Sequence, residues 1–176
     1  MASQPENASP DWRYRAFISY SHKDKAIALW LHRELERYRI PSKLVGTQTT
    51  LGKVPQKLSP IFRDQDELPA SGNLGQELHD ALANSLCLIV ICSPAAAQSR
   101  WVNEEIRQFK MIHGADNVLA FIVDGEPNSR PEMTDAECFR QHSGLPLLTT
   151  VINLRLSANQ LPPMFAKPPT EGGWPN

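Results

Sequence analysis

The chain has 176 residues, of which 41% are hydrophobic and 21% charged, and its formal net charge is −1. These values predict one globular domain, and the balanced charge gives no electrostatic case for binding nucleic acid or an anionic membrane. Of three cysteines, Cys87 and Cys92 lie in an apolar run and are predicted to be small core side chains. The absence of a CxxC pair favours a reducing compartment, so we expect a cytoplasmic protein. Residues 1–11 are polar and predict a disordered leader, and no apolar run approaches the ~20 residues of a membrane helix.

Short apolar segments alternate with helical patterns along the chain. Strands are predicted at 14–20, 58–63, 86–92 and 117–123. Three helices are predicted between them. The first follows Ser21 and Asp24, which can cap it, the second begins near Leu74, and the third runs from Ser99 to a stop at Gly114. Pro60 places the second strand at a sheet edge, whereas seven successive apolar residues make the third a central strand. This alternation predicts an α/β domain with a parallel sheet, right-handed crossovers and helices on both faces.

The remaining segments are predicted to be loops. Residues 41–57 are polar and read as a long loop, and a second loop runs from Arg63 to Gly75. The domain core is therefore predicted to occupy residues 12–125. Residues 126–176 are rich in proline, and within them 145–156 are apolar enough to supply a last strand or helix.

A ligand site is expected at the carboxyl ends of the strands, where open parallel sheets bind their ligands. The segments 21–24, 63–75 and 93–100 leave those ends and should gather on one rim. No GxGxxG follows the first strand, and no GxxxxGK[ST] occurs in the sequence. These absences argue against a dinucleotide-binding domain of the Rossmann type and against a P-loop nucleotidase.

Glu105 is the most informative titratable residue near this rim. It follows Trp101 by four residues on the predicted helix, so the two side chains share a face beside the core stripe of Val102 and Ile106. Such a pair could hold the flat ring of a ligand between the indole and the anionic carboxylate. The alternative is a solvated glutamate beside a half-buried tryptophan, and spacing alone favours this second interpretation. Glu104 is expected to point away into solvent.

Other candidate sites have weaker support. The acidic residues Asp64, Asp66 and Glu67 could hold a metal, but their spacing matches no EF-hand, so a solvated loop is favoured. The five histidines are scattered and have no partner at metal-ligand spacing. No GxSxG motif occurs, and no Ser-His-Asp constellation is visible.

Four segments carry a family resemblance in the same order along the chain. They are FISYS at 17–21, FRD at 62–64 followed by LPASG at 68–72, LIVICSP at 88–94, and SRWVNEEI at 99–106. Together they resemble the Toll/interleukin-1 receptor (TIR) domain family in its bacterial form. The resemblance implies a flavodoxin-like parallel sheet with helices on both faces. It fades after residue 125, so the last layer of the fold is expected to be either incomplete or supplied by residues 145–156.

The resemblance also implies an activity. Many bacterial and plant TIR domains cleave the bond between nicotinamide and ribose in NAD⁺, releasing ADP-ribose or a cyclic product. Their catalytic residue is the Glu of the Trp-x-x-x-Glu helix, which corresponds to Glu105. NAD⁺ is then a substrate, and neither a cofactor nor a metal is expected. The residues implied in substrate binding are Ser19, Tyr20, Ser21, Arg63, Asp64, Leu68 and Trp101.

Other members of the family are non-enzymatic adaptors that act by TIR–TIR binding, and this remains the alternative function. In the family, the loop corresponding to Arg63–Gly75 packs against a neighbouring domain and helps to complete the NAD⁺ site. The resemblance therefore implies a homo-oligomer or filament, activated by self-association, in bacterial signalling or antiviral defence.

Overall fold

A computed structural model describes residues 12–63, residues 74–125 and Cys138. In chain order, its elements are β1 (Ala16–Ser19), a 3-10 turn (His22–Asp24), α1 (Lys25–Arg37), β2 (Gln48–Thr49), β3 (Gly52–Lys53), β4 (Ile61–Arg63), α2 (Leu74–Ala83), β5 (Leu88–Cys92), α3 (Pro94–Gln98), α4 (Arg100–His113) and β6 (Val118–Ile122).

The main sheet of the described residues is parallel and has the strand order β4-β1-β5-β6. Phe17 of β1 lies opposite Phe62 of β4 on one side and Leu88 of β5 on the other. The order confirms the prediction that the 58–63 segment forms an edge strand and the 86–92 segment an interior one. All carboxyl ends of these strands lie at one edge of the sheet, because every pairing is parallel.

Apolar side chains cover both faces of the sheet, because successive residues of a strand point to opposite sides. Phe17 and Leu88 pack with Leu82 of α2 and Phe109 of α4 on one face. On the other face, Ile18 of β1 belongs to a second cluster, which includes Ile27, Ala28 and Leu31 of α1. Helices on both faces of a parallel sheet confirm the flavodoxin-like α/β fold.

The longest described helix, α4, begins and ends as predicted. The side chain of Ser99 accepts a hydrogen bond from the backbone N–H of Val102 at 3.4 Å. Gly114 follows the last turn with φ at +79°, a conformation in which side chains with a Cβ are strained. Serine and glycine thus set the two limits of the helix that carries Glu105.

Two local predictions are wrong, and one short helix was not predicted. Neither Ser21 nor Asp24 caps a helix through its side chain. Instead, Asp24 Oδ2 accepts a hydrogen bond from Ser93 Oγ at 2.7 Å, which links the turn after β1 to the start of α3.

The 41–57 segment is not an irregular loop, because β2 and β3 pair within it as an antiparallel hairpin. The short helix α3 was not predicted, although Ser93 caps it and Pro94 occupies its first position.

The cysteines behave as core side chains, as predicted for Cys87 and Cys92. Cys92 and Cys138 are buried in the same cluster, and Cys87 packs against the other one. Burial raises the pKa of the Cys87 thiol to about 12, which keeps it protonated near neutral pH. No disulfide joins these three residues.

Several predictions fall outside the described residues. These are the leader at 1–11, the residues 64–73 of the second loop, and the proposed last strand or helix at 145–156. Within the described ranges, no helix is both long and apolar enough to cross a membrane.

Asp24 makes the stability of the fold depend on pH. Burial raises its pKa above 3.8, the Ser93 hydrogen bond opposes this shift, and the nearby Asp124 adds to it. The folded state then holds the Asp24 proton at pH values where the unfolded state has lost it, so ionised Asp24 destabilises the fold. We expect Asp24→Asn, which keeps an oxygen to accept from Ser93, to have a higher free energy of unfolding than the wild type at pH 7.

The advantage of Asp24→Asn should shrink as the pH falls through the folded-state pKa and vanish below 3.8, where Asp24 is protonated in both states. Chemical denaturation across this pH range measures the difference. Glu34→Gln removes an exposed carboxylate from α1 and controls for net charge. A constant difference between Asp24→Asn and the wild type at all pH values would contradict the expectation.

Candidate active site

Ser19 and Glu105 form a buried polar pair at the carboxyl end of β1. Ser19 is the last residue of that strand, and its Oγ donates a hydrogen bond to Glu105 Oε2 at 2.5 Å. Ser19 is 0% exposed and Glu105 is 2% exposed. The solvated glutamate favoured by helical spacing is therefore wrong, because Glu105 lies among the buried residues of α4.

The sequence contained a signal for this burial. Glu105 follows Val102 by three residues and precedes Phe109 by four, and both of these are buried in α4. Residues at such spacings share one helix face. A carboxylate on that face requires a hydrogen-bond donor, and Ser19, 86 positions earlier, supplies one from the sheet. The spacing thus places Glu105 at the margin of the buried helix face, whereas its hydrogen-bond partner is known only from the fold.

The expectation of a half-buried Trp101 is wrong. It is 73% exposed, although it lies one turn from Glu105 on the same helix. At about 100° per residue, Trp101 lies roughly 90° from the centre of the buried stripe and Glu105 only about 50°. The helix therefore separates the two residues, with Glu105 inside and the indole in solvent. Glu104 behaves as predicted, since it is partly exposed and its carboxylate accepts two hydrogen bonds from Arg107.

Tyr20 and Arg63 form a second buried pair, on the opposite face of the sheet. Arg63 Nη1 donates a hydrogen bond to Tyr20 Oη at 3.1 Å, and the two residues are 5% and 2% exposed. Tyr20 packs with Ile18 in the cluster on the α1 side, whereas Ser19 points the other way toward α4. The sheet therefore brings Ser19, Tyr20, Arg63 and Glu105 to one end but divides them between its faces.

The remaining predicted site residues have different positions. Ser21 is buried, and its backbone oxygen accepts from the N–H of Asp24 at 2.7 Å in the turn after β1. Asp64 and Leu68 lie outside the described residues. Their roles in substrate binding therefore stay predictions.

A pocket of about 440 Å³ opens at the same end of the sheet. Segments that follow β1, β5 and β6 form it, with lining residues Lys23, Asp24, Ser93, Pro94, Ala95, Gln98 and Asp124. The structure thus brings the predicted 21–24 and 93–100 segments together. Sequence reasoning missed Asp124, although it follows a predicted strand directly. Glu105 is not among the lining residues, so the pocket and the buried carboxylate are separate features of this edge.

The pocket presents both signs of charge. The ammonium of Lys23 and the carboxylates of Asp24 and Asp124 share its lining with the Ser93 hydroxyl and the Gln98 amide. Such a lining suits a polar ligand with several hydroxyl or charged groups. In the described part of the chain, no group of three or more His, Cys, Asp or Glu residues is placed to hold a metal ion.

Comparison with known proteins agrees with this architecture. A family model described as TIR domain matches residues 16–146, roughly three quarters of the chain. A curated protein of Actinoplanes sp., named NAD(+) hydrolase ApTIR, is 36% identical over 115 residues, which cover 65% of this chain and 14% of that protein. The matched region thus spans only a small part of the relative. With the parallel sheet and flanking helices described above, the family match establishes that the chain belongs to the TIR domain family.

Proposed function

We propose that this TIR domain cleaves the nicotinamide–ribose bond of NAD⁺ and that Glu105 is its catalytic carboxylate. The observation that carries the proposal is the buried hydrogen bond from Ser19 to Glu105 at the carboxyl end of the sheet. The resemblance to a protein named NAD(+) hydrolase supports the choice of substrate. The products are nicotinamide and either ADP-ribose or a cyclic form of it.

A single carboxylate is sufficient for this chemistry. Nicotinamide leaves the pyridinium form of NAD⁺ as a neutral molecule, so its departure needs no general acid, in contrast to the oxygen leaving groups of ordinary glycosidases. The electron pair of the broken C–N bond goes to the nicotinamide ring, and the ribose develops positive charge. An anionic Glu105 would stabilise that charge, and water or an atom of the same molecule then attacks the ribose carbon.

The burial of Glu105 strengthens this effect and also imposes a condition. A negative charge stabilises a developing positive charge more in a site from which water is excluded than in bulk solvent. However, Glu105 is only 2% exposed, so NAD⁺ can reach it only if neighbouring segments move. In the proposed active form, Ser19 holds one carboxylate oxygen in place while the other faces the ribose.

Trp101 and Arg63 have supporting roles in the proposal. The exposed indole of Trp101 offers a flat face on which nicotinamide can stack. Arg63 would meet the pyrophosphate only after exchanging its contact with Tyr20, since both are buried in the described structure. Ser21, Asp64 and Leu68 complete the proposed binding surface.

The cellular role is proposed with the activity. Cysteines that form no disulfide suit the cytoplasm, where NAD⁺ is available as a substrate. Consumption of NAD⁺ would stop the growth of a cell that contains the active protein, which fits a role in bacterial defence. Activation by self-association would keep the isolated chain inactive until it is clustered.

A non-enzymatic adaptor is the second candidate function. One observation favours it: Glu105 is enclosed and bonded to Ser19 within a single chain, an arrangement that a purely structural carboxylate would share. An adaptor needs only a TIR–TIR binding surface. In that case, substitutions in the 63–75 loop would abolish association, whereas Glu105→Gln would leave it intact, and the clustered protein would release no nicotinamide.

The role of Glu105 is tested by Glu105→Gln, which keeps the size of the side chain and removes its charge. We expect nicotinamide release to fall by ~10²–10³-fold, because transition-state stabilisation by the carboxylate is lost. The measurement is nicotinamide release by purified protein at high concentration. Glu104→Gln is the matched control on the same helix, where Arg107 lowers the pKa of the Glu104 carboxyl to about 2. Equal rates for the wild type and a folded Glu105→Gln would remove Glu105 from the mechanism.

Trp101→Ala should affect substrate binding and leave stability unchanged. The indole is 73% exposed, so its removal leaves no cavity in the core, but a stacking contact with nicotinamide would be lost. Such contacts contribute about 0.5–1.5 kcal/mol, so KM for NAD⁺ should rise up to about tenfold. Met111→Ala, at a position 70% exposed on the same helix, is the matched control. Wild-type kinetics in Trp101→Ala would show that the indole does not contact the substrate.

Self-association is tested by the dependence of specific activity on protein concentration. If the 63–75 loop packs against a neighbouring domain and this contact completes the site, specific activity should rise steeply with protein concentration in the wild type. It should stay low in a Leu68→Asp, Pro69→Gly variant, measured alongside its oligomeric state by light scattering. A monomer with full activity at every concentration would refute this mode of activation without refuting NAD⁺ cleavage itself.

A further inference from the structure

The connection between α1 and β4 is an ordered arm, defined here as residues 38–57. Backbone hydrogen bonds join its two sides, from Ile40 N to Gln56 O at 3.1 Å and from Gly46 N to Val54 O at 2.8 Å. The β2–β3 pairing continues this ladder toward the tip. All residues from 41 to 51 are nevertheless exposed. The arm is therefore ordered mainly by its own backbone and not by burial against the core.

Four large apolar side chains of the arm lie in solvent. Tyr38 is 50% exposed, Leu44 47%, Val45 37% and Leu51 48%. They account for more than half of the large hydrophobic residues that are exposed in the described part of the chain. Apolar groups gathered on one surface feature commonly mark a contact with a partner or a membrane. The α4 residues Trp101, Met111 and Ile112 make up the rest.

The arm is also strongly basic. It contains Arg39, Lys43, Lys53 and Lys57, all exposed, and has no aspartate or glutamate. It therefore carries a charge of +4 in a chain of net charge −1, which leaves the remainder at −5. The near-zero net charge of the whole chain conceals this separation. Long-range attraction to a negative surface depends on such local charge.

We propose that this arm docks on an anionic lipid surface. Lysines and exposed aliphatic side chains on the same arm suit a bilayer interface, because the cations meet lipid phosphates while the apolar groups enter the boundary of the acyl chains. Three of the four cations are lysines, which are depleted in protein–protein interfaces. Nucleic acid is a poorer match, because single strands stack on aromatic rings and Tyr38 is the one aromatic residue of the arm.

The test is flotation of the full 176-residue chain with vesicles of phosphatidylcholine alone or mixed with phosphatidylglycerol. The wild type should bind the anionic vesicles, bind the neutral ones weakly, and bind the anionic ones less tightly, but still measurably, as salt is raised. Lys43→Gln with Lys53→Gln should weaken partitioning by about 25-fold, since each lysine near an anionic leaflet contributes about 1 kcal/mol. Leu44→Ser with Leu51→Ser should weaken the binding that persists at high salt.

Lys25→Gln with Lys110→Gln is the control, because it changes net charge equally at two positions outside the arm. Thermal unfolding checks that every variant is folded. Equal binding to neutral and anionic vesicles, or equal losses in the arm and control variants, would overturn the proposal. So would binding of the arm to polyglutamate without binding to vesicles, which would assign it to an acidic protein partner. None of these readouts depends on NAD⁺ cleavage.

Discussion

A buried carboxylate costs free energy unless hydrogen-bond donors reach it, and for Glu105 one such donor is the Ser19 hydroxyl. The bond joins the last residue of β1 to the middle of α4, so it also ties a strand that is paired on both sides to the longest described helix. Replacing either partner would leave the other buried with one hydrogen bond fewer. This contact and the packing of α4 against the sheet together hold the carboxylate at the carboxyl end of β1.

Successive side chains of a strand point to opposite faces of the sheet, so the polar residues at the end of β1 are divided between its two sides. Ser19 points toward α4, Tyr20 toward the α1 side and its Arg63 partner, and Ser21 begins the turn that leads to Asp24. Three consecutive residues thus form hydrogen bonds with three different parts of the fold at one edge of the sheet. A substrate that contacts all of them would have to extend across this edge, which is where open parallel sheets generally hold ligands.

Basic and acidic residues are concentrated in different parts of this protein, and the net charge of −1 does not show this separation. The arm at 38–57 is entirely basic, whereas the pocket at the carboxyl ends of the strands contains two carboxylates and one lysine. The arm precedes β4 and the pocket follows β1, β5 and β6, so the two features lie toward opposite ends of the parallel sheet. Docking through the arm would therefore leave the edge that carries Glu105 and the pocket open to small molecules.

The sequence by itself determined the order of the four main-sheet strands and of α1, α2 and α4. It also determined the edge position of the strand near Pro60, the interior position of the 86–92 segment, and the limits of α4 at Ser99 and Gly114. These features follow from periodicity, turn residues and caps, which act over a few neighbouring positions. The family resemblance, from four short segments, was equally local in origin and is confirmed by the family match.

Only the tertiary structure decided which borderline positions are internal. It buried Glu105, exposed Trp101, paired Arg63 with Tyr20, and turned the expected 41–57 loop into a hairpin. Residues at the margin of a helix stripe are buried or exposed according to what lies opposite them. Ser19, which donates a hydrogen bond to Glu105, is 86 positions away, beyond the reach of any local pattern.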